Sequence, residues 1–282
     1  MKKLGIVILN YINFQDTIDC VDSILKQDYI NYNIIIVDNK SSNESIEEIR
    51  NRFEGNTKIT LIVAEKNEGF AKGNNLGIRY AVEELNCTDI FLLNSDTVLL
   101  TKDVLSSMMN CCGKGIGLVN PTCIGCNNKI QTPYGRFTQH LFLETLRALF
   151  NIFSGTIQNI FKINYGLSKR INGYNLEQLE SQGYIVQGAA YILTAEFFKY
   201  YKQLFPKTFL YGEELNLAWY LDKVGLRTMV DQNAKILHKE GGSTGNIGTR
   251  KIMNKFCRQL ASFFHSLPVF TLNYQRIVKR YN

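Results

Sequence analysis

Apolar residues near the N-terminus fall in short continuous runs, and these alternate with apolar sets at helical spacing. Residues 4–9 form a nearly unbroken apolar run that ends in Asn10-Tyr11-Ile12-Asn13. Such a run predicts a strand buried on both faces of a parallel sheet. Ile18, Val21, Ile24 and Leu25 then mark one face of a helix, and residues 34–37 predict a second strand, ending in Asp38-Asn39. Residues 59–63 and 89–93 predict two more, the latter ending in Asn94-Ser95-Asp96. Strands alternating with helices imply an open α/β sheet, whose ligands bind beyond the carboxyl ends of the strands. Asp38 and Asp96 both stand at such ends. Either aspartate alone is as readily a helix cap or turn residue; their common position is what points to a site.

Residues 67–77, NEGFAKGNNLG, carry three glycines and three asparagines in eleven positions. They follow a β-branched run and lead into Ile78, Ala81, Val82 and Leu85 at helical spacing. The pattern predicts a strand, a glycine-rich turn and a helix, an arrangement that offers backbone N–H groups to a phosphate. It has neither the Gly-Lys-Ser/Thr of a P-loop nor the G-x-G-x-x-G of a dinucleotide site.

Seven segments taken together resemble inverting glycosyltransferases of family 2. They are VILNYIN (7–13), VDNKSSN (37–43), NEGFAKGNNLG (67–77), LLNSD (92–96), VQGAAYILTAEFF (186–198), FLYGEELNLAWYLDKVG (209–225) and LHKEGGST (237–244). They occur in the family's order across residues 1–245 and are most similar to its rhamnosyltransferase-like branch. The resemblance implies the α/β GT-A fold: an open, mostly parallel twisted sheet flanked by helices, binding a nucleotide-diphosphate sugar. It also implies a transferase domain over 1–245, an acceptor-side insertion at 120–183, and a helical C-terminal segment at 246–282.

The same resemblance assigns roles. Asp38 is expected to contact the base, with Asn10 and Tyr11 lining base and ribose and Asn13 also in the donor-nucleotide site. Asn67, Gly69, Phe70, Gly73, Asn74 and Asn94 complete the expected donor-nucleotide site. Asp96 matches the last aspartate of the family's D-x-D signature, and Asn94 replaces the first. Asp96 and His238 are thus the implied holders of Mg²⁺ or Mn²⁺, ions suited to carboxylate and water ligands that neutralise a departing diphosphate. Glu214 matches the acceptor-activating base, with Glu213 beside it as the other candidate. Adjacent helical residues point about 100° apart, so only one of the two can face an acceptor. A helix N-terminus is expected to favour the ionised form. Small residues at Gln187-Gly188-Ala189 suit the wall of a donor-sugar pocket. The implied donor is dTDP-rhamnose, with a UDP-hexose or UDP-N-acetylhexosamine as the alternative. A non-catalytic carbohydrate-binding relative is the reading outside enzymes.

Charge changes the picture only at the C-terminus. The last acid is Glu240, and the seven cations beyond it equal the whole formal net charge of +7. The tail also spaces Ile252, Phe256, Leu260, Phe263 and Phe264 as a helix does. That combination suits either an anionic membrane surface or a terminal helix packed on the domain. Residues 141–161 are apolar except for a stripe at Glu144, Arg147, Asn151 and Ser154, which suits either a buried helix or one at a bilayer interface. No run of about 20 apolar residues predicts a spanning helix, and no leader is visible. Seven cysteines show no disulfide framework, and Cys123-x-x-Cys126 has no second pair. The expected place is cytoplasmic, peripheral on the inner membrane face. The expected partners are a nucleotide-sugar donor, a lipid-linked saccharide acceptor and anionic lipid; no feature resembles a nucleic-acid recognition module.

Overall fold

A computed structural model describes residues 2–132, 135–136, 140–161, 180–181, 184–239 and 249–282. In chain order its strands are β1 (Leu4–Asn10), β2 (Tyr32–Asp38), β3 (Ile59–Val63), β4 (Asp89–Asn94), β5 (Thr97–Leu99) and β6 (Ile116–Gly125). Then come β7 (Gly135–Arg136), β8 (Glu180–Ser181), β9 (Tyr184–Ile185), β10 (Ala190–Leu193) and β11 (Arg227–His238). The helices are α1 (Phe14–Ile24), α2 (Ser45–Phe53), α3 (Gly69–Glu83), α4 (Val104–Asn110), α5 (Leu141–Phe161), α6 (Ala195–Phe198), α7 (Glu213–Lys223), α8 (Thr249–Thr271) and α9 (Tyr274–Tyr281).

The main sheet has the order β3-β2-β1-β4-β10-β6-β11-β5, with β8 added to β11, while β7 and β9 pair separately. The first four strands are parallel, as their apolar runs predict. Beyond β4 the sheet is mixed, because β10 runs antiparallel to both its neighbours. Register levels the strand ends: Asn10 lies opposite Asp38 on one side, and Leu9 opposite Asn94 on the other. Polar residues distant in sequence are thereby brought to one rim.

Both faces of β1 are buried. Leu4, Ile6 and Ile8 pack with Cys20, Val21 and Ile24 of α1, whereas Val7 packs with Ile78 and Ala81 of α3. Period-two alternation sends successive side chains to opposite layers, so an unbroken apolar run fits a strand covered on both sides.

The glycine-rich segment differs from expectation. Helix α3 begins at Gly69, so Gly73 and Gly77 lie inside it, on one face at four-residue spacing. A Cβ on Gly73 would sit 2.6 Å from Leu9 Cδ1, and one on Gly77 would sit 2.4 Å from Val7 Cγ1. These glycines let the helix lie against β1; they do not make a flexible loop. Asn75 adds a link from the same helix, donating to Leu204 O at 2.9 Å and accepting from Leu204 N at 2.8 Å.

The C-terminal segment packs on the domain. Phe263, Val269, Phe270, Ile277 and Tyr281 join the core cluster that holds Trp219 of α7. Lys202 N also donates to Asn282 Oδ1 at 3.1 Å. Of the two roles open to the tail's apolar residues, these take packing.

Gly77→Ala should destabilise the protein by about 1–3 kcal/mol through overpacking, more than the roughly 1 kcal/mol gained in helix propensity. Gly155→Ala in α5, where nothing lies within 4 Å of an added Cβ, serves as control and should be neutral or stabilising. Equal urea midpoints for the two variants would contradict the close α3–β1 packing.

Candidate active site

The rim starts from one buried carboxylate. Asp38 is fully buried, and its Oδ1 accepts from Ser41 N at 2.8 Å. Its Oδ2 accepts from Ser41 Oγ at 2.7 Å and from Asn10 Nδ2 at 2.7 Å. Thr17 Oγ1 donates to Asn10 Oδ1 at 2.8 Å, and Ile12 N donates to Ser41 Oγ at 2.8 Å. Asp38 thus stands at the strand-end rim where the resemblance expects the base. Its oxygens are engaged within the protein, and it acts by fixing the turns after β1 and β2. Tyr11, 49% exposed, stands on the first of those turns. Asn13 caps α1 by accepting from Asp16 N.

The donors expected to cradle a phosphate are likewise engaged. Asn39 Oδ1 accepts from Glu68 N at 2.9 Å, Asn67 Oδ1 from Gly69 N at 3.0 Å, and Phe209 O from Phe70 N at 2.7 Å. Gly69 has φ +78°, and a Cβ there would lie 2.3 Å from Phe209 O. Asn74 is buried and donates to Phe70 O at 3.0 Å. Asn67, Gly69, Phe70, Gly73 and Asn74 thus dock the start of α3 onto β1, β2 and the turn before α7.

Asp96 and His238 do come together, with His238 Nε2 3.5 Å from Asp96 Oδ1. Lys239 N donates to Asp96 O at 2.9 Å, and Lys239 Nζ pairs with Asp16 at 2.8 Å and Asp19 at 2.7 Å, pinning the end of β11 to α1. Gln131 Oε1 lies 3.1 Å from His238 Nδ1. A hydrogen bond of this kind to Nδ1 orients the ring with Nε2 on the side of Asp96. An imidazole nitrogen and a carboxylate oxygen are both ligand types for a divalent cation. The pair therefore fits a divalent cation as two of its ligands. Among the described residues no group of three or more His, Cys, Asp or Glu forms there, so the remaining ligands would be water and diphosphate.

Gln131 also links the halves of the site, because the same Oε1 accepts from Gln187 Nε2 at 2.8 Å. Ala189 O accepts from Asn94 N at 2.8 Å, placing the 187–189 turn beside the end of β4. Gly188 then meets α7: a Cβ on it would lie 2.2 Å from Glu214 Oε1. Sequence reading marked neither Gln131, nor Lys239, nor Asn39 as a site residue. Asn39 and Lys239 each follow a marked residue, Asp38 and His238, whereas Gln131 carried no signal.

The two glutamates diverge as adjacent helical residues must. Glu214 lines a cavity of about 280 Å³ with Glu144, Arg147 and Asn151 of α5 and Gln259, Ser262 and Ser266 of α8. Glu213 faces Leu204, Phe205, Asn216, Leu217 and Tyr220, and among the described residues its Oε1 has no hydrogen-bond partner. Before them, Tyr211 and Gly212 both adopt positive φ, turning the chain sharply into α7. The expectation that the helix N-terminus favours ionisation is corrected. Burial raises both carboxyls, and the neighbouring Glu214 charge helps push Glu213 from 4.5 up to about 8. Glu213 thus turns toward the core and Glu214 toward the cavity.

Against known proteins, the model of glycosyl transferase family 2 matches residues 5–164. The chain belongs to that family. A low-salt glycan biosynthesis hexosyltransferase, Agl10 of Haloferax volcanii, is 30% identical over 104 residues, covering 37% of this family 2 chain and 31% of the relative. The chain thus spans about a third of that curated relative. Among solved structures, the mannosyltransferase PcManGT from Pyrobaculum calidifontis, in complex with GDP-Man and Mn²⁺, superposes with a TM-score of 0.58 at 12% identity, over 99% of this chain and 71% of that one. The likeness establishes the GT-A fold for this family 2 chain.

Because the fold holds the Glu213 proton more tightly than the unfolded chain does, this group stabilises most below about 4.5, and its contribution declines as pH rises through 8. Glu213→Gln should flatten the fall in thermal midpoint over that interval. A wild-type slope in the variant would place the retained proton elsewhere.

Proposed function

We propose that the protein is an inverting glycosyltransferase. It moves a sugar from a nucleotide-diphosphate donor to a hydroxyl of a growing, lipid-linked cell-surface polysaccharide at the cytoplasmic face of a membrane. The observation carrying this reading is the position of Glu214: its carboxylate opens on the α5–α7–α8 cavity and abuts Gly188, on the turn beside Asn94 at the end of β4. An acceptor in the cavity and a donor at the strand ends would meet across that turn.

The nucleotide lies along the turns after β1 and β2, with exposed Tyr11 offering a stacking face and the buried Asp38 network holding the turn rigid. Asp96 and His238 would hold Mg²⁺ or Mn²⁺, which would neutralise charge on the leaving diphosphate. Gln187, Gly188 and Ala189 wall the donor sugar. Glu214 takes the acceptor proton as the oxygen attacks the anomeric carbon opposite the nucleotide, so a single displacement inverts the configuration. The acceptor cavity is bounded by α5 within residues 120–183, which supports reading that insertion as acceptor-side. dTDP-rhamnose is the proposed donor, on the resemblance of the motifs. A hexosyl donor is the second reading, favoured by the name of the Haloferax relative.

Glu214→Gln keeps shape but cannot accept the proton, so transfer should fall about 10²- to 10⁴-fold with nucleotide affinity intact. Glu213→Gln should retain activity. The rate should rise with pH through a limb set above the ordinary glutamate value, since burial raises the Glu214 carboxyl and the base works ionised. A thermal-shift panel of nucleotide sugars with and without Mn²⁺ identifies the donor. If no nucleotide shifts the midpoint, or Glu213→Gln is the crippled variant, this reading fails.

A further inference from the structure

Helix α5 is apolar on two sides. Ala148, Leu149 and Ile152 pack toward the core, and beside them Glu144, 3% exposed and paired with Arg147 at 3.1 Å, lines the cavity near Glu214 together with Arg147 and Asn151. A second set of its large apolar residues points out. Phe142 is 72% exposed and Phe150 60%, with Leu146, Phe153 and Ile157 along the same side. An ordinary surface helix buries its apolar stripe. Side chains of this size in one continuous row mark a surface that meets something apolar.

The neighbouring helix indicates what that is. α8 packs beside α5, with the rings of Phe153 and Phe256 at 5.3 Å. It carries no acid, and it exposes Arg250 and Arg258 along with Phe264 and Met253. The one acid of α5 is the buried Glu144. Two copies meeting through this face would bring their cations toward one another with no facing acid on either helix. A surface of anionic headgroups over hydrocarbon satisfies both features at once. Among the described residues no helix is long and apolar enough to cross a membrane, so the fitting geometry is a helix lying in the interface.

We propose that α5 lies on an anionic lipid bilayer, its apolar row immersed and its polar stripe forming the wall between membrane and acceptor cavity. The cavity then sits where the head of a lipid-carried saccharide would emerge, a role that rests on the transferase reading. The contact with lipid does not depend on that reading.

The test uses the full chain and phosphatidylcholine vesicles with or without phosphatidylglycerol. The wild type should co-sediment with the anionic vesicles and be partly released by salt. Phe142→Ser/Phe150→Ser, which alters exposed positions only, should lower partitioning by about tenfold or more. Arg250→Glu/Arg258→Glu should abolish the preference for phosphatidylglycerol. Wild-type protein that ignores both vesicles overturns the proposal, as does a serine variant that binds like wild type. A wild-type dimer in sedimentation velocity that the serine variant dissolves, without vesicle binding, also overturns it and makes the face a self-association surface. The nucleotide-sugar thermal-shift panel run on the same samples separates the two readings. Nucleotide response without vesicle binding defeats the bilayer contact alone. Vesicle binding without nucleotide response supports the contact and defeats the transferase reading.

Discussion

Asp38 is a carboxylate with no access to water, and such a group is tolerable only when its oxygens are matched by donors. Ser41 and Asn10 supply them, and the consequences run outward through the site. Asn10 is held by Thr17, so the turn after β1 and the start of α1 become one unit with the turn after β2. α1 in turn presents Asp16 and Asp19 to Lys239, and that pair of contacts fixes the end of β11. His238, one residue earlier, is thereby set against Asp96. The two candidate metal ligands, 142 positions apart in sequence (238 − 96), are thus positioned by an anion that touches neither.

The parallel half of the sheet was legible because its strands are short apolar runs with polar ends, and both features follow from burial on two faces. The glycine segment shows a limit of composition. Close backbone approach demands glycine whether the neighbour is a phosphate or a β-strand, and composition does not distinguish them. At Gly73 and Gly77 the neighbours are Leu9 and Val7. Gln131 and Lys239 went unmarked for another reason. Their side-chain partners lie 56 to more than 200 residues away, and nothing local requires a glutamine or lysine at those positions.

The glutamate pair shows where local rules stop. Sequence placed both acids at a helix N-terminus, where the backbone field favours the charged form. In the folded chain desolvation opposes that field and outweighs it, raising both. Direction then separates them, since Glu214 turns to the cavity and Glu213 to the core. The same geometric logic gives α5 its two faces. Its polar stripe was readable from residues 144, 147 and 151, but whether the stripe faced water or protein was settled only by tertiary packing.

The proposed donor site for a nucleotide-diphosphate sugar lies across the carboxyl ends of β1, β2 and β4. Hydrogen exchange on the full chain, with and without nucleotide-diphosphate sugars and Mn²⁺, addresses it most directly. The account predicts slowed exchange in residues 10–13, 38–41, 94–97 and 187–189 for the cognate nucleotide, with the opposite ends of the strands unchanged. Protection confined to those opposite ends, or none with any nucleotide sugar, would contradict it.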